Sequence, residues 1–289
     1  MSASEIATSV RNPFFGLPGQ PPTLRVVPTE MTMDMHMFGV MFAPHDRVTL
    51  MGMASYVRKD MDHVTFQGGA GTTRLGSFTT RTEGVGDTRL SALVRLFEGE
   101  HHHLHLNAGL SVPTGSIREK DRVLTPMNMQ PRIRLPYPMQ LGSGTVDLLP
   151  GLTYTGSAGR FGWGGQYAGT VRLGRNDEGY SLGDEHRFTG WGSVLLASWL
   201  STSLRVEGRT AGRIDGQDRS IVAPVQTADP ENRGGERVDV LLGLNLAGPG
   251  GWLRGHRIAV EAGLPVYQDL HGPQLETDWL LTVGYQFAF

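Results

Sequence analysis

Residues 84–112 read GVGDTRLSALVRLFEGEHHHLHLNAGLSV, and this stretch decides the fold. Thr88, Leu90, Ala92, Val94 and Leu96 fall on one side of a two-residue period, with Asp87, Arg89, Ser91 and Arg95 on the other. After the short connection EGEH, Leu104, Leu106, Ala108, Leu110 and Val112 oppose His103, His105, Asn107 and Ser111. Alternation over about ten residues on each side of a tight turn predicts a β-hairpin with one apolar and one polar face.

The same grammar recurs outward from this hairpin. Clear strands are expected over 145–156, 161–173, 202–212, 236–247, 256–266 and from about 278 to the terminal Phe289. Less regular ones are expected over 31–43, 47–58 and 187–197. That makes eleven. Pro150 and Pro265 fall inside these strands, where a missing amide predicts a bulge.

Composition agrees with an all-β chain. Glycine, at 40 of 289 residues, is about twice its usual share of roughly 7%, which disfavours long helices. No apolar run approaches the roughly 18 residues of a spanning helix. A net charge of −2 without a basic face argues against a nucleic-acid partner. The absence of cysteine excludes disulfides and thiolate sites.

The polar faces carry Arg89, Arg95, Arg172, Arg205, Arg209, Arg237 and Arg257 together with Asp34, Asp87, Asp147, Glu207, Asp239, Glu261 and Asp278. Period alone does not say whether these residues meet water outside a soluble barrel or line the interior of a membrane one. Connection lengths decide. Short turns (44–46, 98–101, 157–160, 198–199, 248–255) alternate with long connections (59–83, 113–144, 174–186, 213–235, 267–276), the pattern of an outer-membrane barrel. Phe97, Phe161, Trp199 and Trp279 near strand ends suit interfacial girdles. The expected architecture is therefore an antiparallel up-and-down transmembrane β-barrel of about 12 strands. The listed acids and arginines, with His36 beside Asp34, are expected to line its lumen.

Counting directions back from the last strand starts residues 31–43 on the long-loop side. Residues 1–30 are then an extracellular segment and 31–289 the barrel. Eleven strands leave an open edge in lipid, so the first strand of twelve and a signal peptide are expected upstream of Met1.

Several segments resemble one family. GVGDTRLSALVRL (84–96), AGLSVPTGSI (108–117), LPYPMQLGSGT (135–145), DLLPGLTY (147–154) and ETDWLLTVGYQFAF (276–289) are similar to the outer-membrane transporters named for phenol meta-cleavage gene clusters. The resemblance implies passive uptake of small, often hydrophobic or aromatic solutes, and supplies no active-site residues.

Spacing bears on two further chemistries, metal binding and nucleophilic catalysis. In MTMDMHMFGVMFA (31–43), Met31, Met33, Met35, Met37 and Met41 share a face opposite Asp34 and His36. Thioethers suit Cu(I), but one strand face spreads them about 7 Å apart, so apolar cover toward lipid is the expectation. Of the run 101–105, His103 and His105 are the two that share a face, so a polar rim is the expectation and a nickel or zinc site the alternative. Ser111, Asn107 and His105 lie too far apart along one strand for a nucleophile and its base. The sequence thus predicts a monomeric, non-enzymatic barrel in the outer membrane, with lipid and a small solute as partners and no cofactor. The long segment 113–144, rich in Pro and Arg, is the expected constriction or lid. A copper-linked barrel or a plugged structural one are the rivals.

Overall fold

The computed structural model describes residues 1–12 and 23–288. Residues 13–22, within the expected N-terminal segment, and Phe289, within the last expected strand, lie outside the described residues.

Twelve strands form one antiparallel sheet: β1 (Val26–His45), β2 (Val48–Phe66), β3 (Arg74–Val85), β4 (Thr88–Glu98), β5 (His102–Val112), β6 (Asp147–Ala158), β7 (Phe161–Arg172), β8 (Glu185–Ala197), β9 (Leu200–Ala211), β10 (Gly235–Ala247), β11 (His256–Leu270) and β12 (Leu280–Phe287). Each strand pairs with the next, except that β2 takes β3 along its far half and β4 along its near half. β3 and β4 thus behave as one long strand broken at Gly86–Asp87. Gly86 donates its N–H to Ser55 O at 2.9 Å, and a Cβ there would meet Ser55 Oγ at 2.5 Å, a close backbone approach that requires glycine. Eleven strand positions therefore follow one another around the sheet, the number expected.

Two boundaries differ from expectation. The presumed loop 59–83 is mostly strand, because β2 runs on to Phe66 and β3 begins at Arg74. Its side chains alternate between a polar outer face and a buried inner one, a pattern that mixed polar residues such as Lys59, Asp60 and Asp62 hide in the sequence. Likewise β1 starts at Val26, so residues 26–30 belong to the sheet. Before it, α1 (Ala3–Ser9) is capped by Ser2 and Glu5 in a reciprocal box. Ile6 and Ala7 pack on Leu24, Val27 and Phe66 at the long-connection end.

Short connections are tight. Asp46–Arg47, Gly159–Arg160 and Ser198–Trp199 are two-residue turns between paired strands, and Gly159 adopts φ +57°, the left-handed conformation that primed hairpin turns favour. Pro265 sits at a register shift opposite Asp239, the expected bulge. Pro150 merely interrupts the pairing of β6 with β7 and leaves the register unchanged on either side.

Few of the buried apolar residues, such as Val57 and Leu241, lie along the middle of the sheet. Most gather at the long-connection end, where Val26, Tyr137, Tyr180, Ile214, Ile221, Val225 and Ala228 form one cluster. The sheet's outer face is apolar and exposed: Leu242 is 65% accessible, Leu281 57% and Leu90 54%. A soluble sandwich buries such a face. Here it is a continuous apolar band of the kind that faces lipid. Among the described residues no ladder joins β1 to β12, and these two free edges run in the same direction.

Candidate functional site

The concave face is the candidate site, and register fixes what it carries. One row runs Gly39, Met53, Arg89, Ser111, Asp147, Arg172 across β1 to β7. A second runs Asn107, Gly151, Ala168, Arg187, Arg209, Arg237, Gln268 across β5 to β11. Three arginines thus stand side by side on β8, β9 and β10. A third row carries Arg95, His105, Thr153, Gln166, Thr189, Glu207 and Asp239.

Acids on neighbouring positions hold these arginines. Asp147 accepts from Arg172 Nη1 at 2.5 Å and from Thr145 Oγ1 at 2.6 Å. Glu185 lies 3.0 Å from Arg209, 3.6 Å from Arg187 and 3.8 Å from Arg172. Asp239 accepts from Arg237 Nε at 3.0 Å. Arg205 pairs with Glu261 through two nitrogens and with Glu207 at 3.1 Å, the fork geometry that a guanidinium offers carboxylates. Arg257 donates to Asn245 Oδ1 at 2.6 Å, and Arg95 pairs with Glu98 at 2.5 Å.

Three residues expected to line the lumen are placed elsewhere. Asp34 and His36 lie on the convex face, because they pair in register with Arg58 and Tyr56, which themselves face outward on β2 while Val57 between them is buried. The methionines take the inner face instead. Met31 packs against Met61, Leu135 and Met139, Met41 is opposite Met51 and Met35 opposite Val57. The reason is that both faces of β1 are apolar in this region, Phe38, Val40 and Phe42 covering the outer one, so alternation carries no sign there. Asp278 precedes β12 and lies in the connection before it, since the register with β11 begins only at Leu280.

Asp87 occupies the break between β3 and β4, where it anchors the long segment 113–144. Its carboxylate accepts from Gly115 N at 3.0 Å, Ser143 N at 2.7 Å and Ser143 Oγ at 2.9 Å. That segment folds onto the concave face of β2 and β3. Lys59 Nζ donates to Pro138 O at 2.8 Å and also to Gln140 O. Thr82 Oγ1 donates to Met139 O at 2.8 Å, and Thr65 Oγ1 to Leu124 O at 2.8 Å. Arg134 is held by Asp218 at 2.7 Å and Glu178 at 3.5 Å, which ties 113–144 to the connections 174–186 and 213–235.

On β1 and β2 the outer apolar band ends at His36 and Tyr56, above which Arg58, Asp60 and Arg81 form an exposed cluster. Lys59 and His63 lie above that limit. Burial pushes the Lys59 ammonium down to about 8, with repulsion from Arg233 adding to it. Burial likewise pushes the His63 imidazole, stacked on Phe78 at 4.7 Å, down to about 4. In the loop cluster burial raises the Tyr137 phenol to about 12.

His103 and His105 share the inner face, while His102 points outward and bonds to Tyr154 Oη at 2.8 Å. Among the described residues no three His, Asp or Glu side chains converge on a point that could hold a metal ion. Arg134 belongs to the Pro- and Arg-rich segment expected as a constriction or lid, and the residues missed in the sequence are Lys59, Glu185, Arg187 and Asp218. Glu185 and Arg187 were findable from the alternation Glu185, Arg187, Thr189. The others act through segments that carry no period.

No family model matches the chain, and no curated protein matches it. Solved structures do. The crystal structure of the COG4313 outer membrane channel from Pseudomonas putida F1 superposes with a TM-score of 0.56 at 12% identity, over 89% of this chain and 83% of that one. OmpT, an outer membrane protein of Vibrio cholerae, gives a TM-score of 0.40 at 10% identity over 89% and 95%. The first likeness shows the fold, an antiparallel sheet of the outer-membrane barrel type.

Proposed function

We propose that the chain is an outer-membrane β-barrel channel that admits small solutes by diffusion, without cofactor, energy coupling or catalysis. One observation carries this reading: the apolar band faces out while arginines and their acids fill the concave side, the inverse of a water-soluble barrel. Outer-membrane residence and a monomeric state belong to the same reading, as does a ring of twelve strands. The free edges of β1 and β12 run parallel, and a strand antiparallel to both satisfies their backbone groups in lipid. The preference for apolar or aromatic solutes and the link to phenol meta-cleavage clusters rest on the motif resemblance, with the inward methionines as added support.

The test is conductance of the purified protein in planar bilayers, beside liposome swelling in small solutes. Discrete current steps and solute-dependent swelling are expected from the band that shifts on heating in gels. A folded barrel that passes neither ions nor solutes would reject the channel in favour of a plugged one.

A further inference from the structure

Among the described arginines on the concave face of the strands, Arg89 is the one that neither a carboxylate nor a hydrogen bond holds, Arg257 being taken up by Asn245. Its register partners are Met53 on β2 and Ser111 on β5. Further along that row the charges of Asp147 and Arg172 cancel against each other. Among the described residues Arg89 has neither a carboxylate in ion-pairing reach nor a hydrogen-bond partner, although it lies in the field of Arg187 and Arg172, offset by Glu185 and Asp87. Its side of β4 is accessible from the concave space.

One step toward the short turns, the row is uncharged: Met41, Met51, Ser91, Gly109 and Leu149. Met53 reaches over Gly39 of β1, where a Cβ would stand 3.5 Å from its Cγ. An unpaired guanidinium therefore adjoins a patch of thioethers on one wall. A guanidinium matches the two oxygens of a carboxylate. A thioether is apolar, adaptable in shape and attracted to aromatic rings. Successive inward residues on a strand are about 7 Å apart, roughly the length of a one-ring carboxylate.

We propose that the corner formed by Arg89 with Met51 and Met53 is a transit subsite for small aromatic carboxylates. This rests on the channel reading above and names the class of solute that the wall prefers. An inorganic anion gains from Arg89 alone and a neutral arene from the methionines alone; an aromatic carboxylate gains from both.

Benzoate is the probe, with acetate and phenol as the partial ones. The full chain is placed in liposomes for flux and in planar bilayers for chloride current, and gel mobility before and after heating reports folding. Benzoate is expected to enter faster than acetate or phenol, with saturation, and to block chloride current. Arg89→Gln is expected to raise the half-blocking concentration about tenfold, the size of one charge-assisted contact, and Arg89→Lys to restore part of it. Met51→Ser with Met53→Ser is expected to lower the preference for benzoate over acetate several-fold. If Arg89→Gln does not fold, the methionine pair and the parent's own block decide.

Chloride current with equal flux of benzoate and acetate, or block indifferent to both sets of variants, overturns the subsite and leaves the channel standing. So does a preference for phenol over benzoate. A folded parent with no current and no flux overturns the channel itself, and the subsite with it.

Discussion

Met41 on β1 and Met51 on β2 are register partners, and both thioethers point to the concave side of the sheet. The adjacent pair Val40 and Gly52 faces outward, where a Cβ on Gly52 would meet Val40 Cγ2 and Leu90 Cδ2 at 3.7 Å. This settles the sign of β1 and makes Phe38, 68% exposed on the outer face, its membrane anchor. Val40→Arg, at the middle of that outer band, is expected to impair insertion by roughly 2 to 4 kcal/mol, Phe38→Arg by less because it lies nearer the band's edge, and Met37→Arg, on the concave side, by far less than Val40→Arg. The yield of the heat-modifiable band after refolding in detergent measures all three. Equal yields would mean that the face is not lipid-exposed.

The same logic applies on β10 at a strand whose sign was legible from sequence. Leu242 is 65% exposed on the outer face, whereas Asn245 faces inward and accepts from Arg257. Leu242→Arg is expected to lower the folded yield strongly, at roughly 2 to 4 kcal/mol. Asn245→Arg is expected to cost less, because its new charge stays hydrated in the lumen. A reversed order would place β10 the other way round.

Why one strand's sign was legible and the other's was not follows from the residues. On β10, Arg237, Asp239 and Asn245 alternate with Val238, Val240, Leu242 and Leu244, so burying a charge in lipid forbids one of the two orientations. On β1, methionines alternate with Asp34 and His36 at one end but with Phe38, Val40 and Phe42 at the other. The two polar residues lie above the apolar band and do not constrain it. Connection lengths revealed the barrel because they depend on topology alone. The loop dome was invisible for the opposite reason: Arg134, Glu178 and Asp218 meet from three separate connections, and no local period brings them together.

That dome depends on a buried pair. Arg134 Nη1 lies 2.7 Å from Asp218, which is 1% exposed and also accepts from Ser220 N at 2.7 Å. Asp218→Ala strands a buried guanidinium, and breaking such a pair costs about 3 to 5 kcal/mol. The lower end is expected, since Glu178 remains 3.5 Å away. Limited proteolysis should then cut within 113–144 or 213–235 while the sheet stays intact. Unchanged protection would show that the apolar cluster alone holds the dome.

Docking of segment 113–144 should also weaken in acid. His63 borders the same cavity as Phe78, Leu124 and Ile133, and burial holds its imidazole near 4 against an ordinary 6.5. Between those values the undocked state binds more protons, so docking is fully present above about pH 6.5 and is lost progressively as the pH falls toward 4. Protease protection of 113–144 followed across that window is the measurement. His63→Phe removes the titrating group and keeps a ring to stack on Phe78, so its protection should be flat there. A parent equally flat would remove His63 from the docking equilibrium.

Ion selectivity offers a separate check on the concave arginines. Glu185 is shared by Arg209, Arg187 and Arg172 at 3.0, 3.6 and 3.8 Å, so it offsets more positive charge than any one pair suggests. Glu185→Gln keeps the shape and a hydrogen-bonding oxygen while removing the charge. A unit charge several ångströms from a permeating ion in a partly hydrated lumen is worth on the order of 1 kcal/mol. The anion-to-cation permeability ratio should therefore rise by about two- to fivefold, and the rise should shrink at high salt as screening tightens. Reversal potentials across a potassium chloride gradient read this directly. Asp60→Asn serves as the comparison, since Asp60 pairs with Arg58 and Arg81 on the outer face and should leave the ratio unchanged. If the two variants shift the ratio alike, the effect comes from overall charge, and Glu185 does not sit beside the path of the ions.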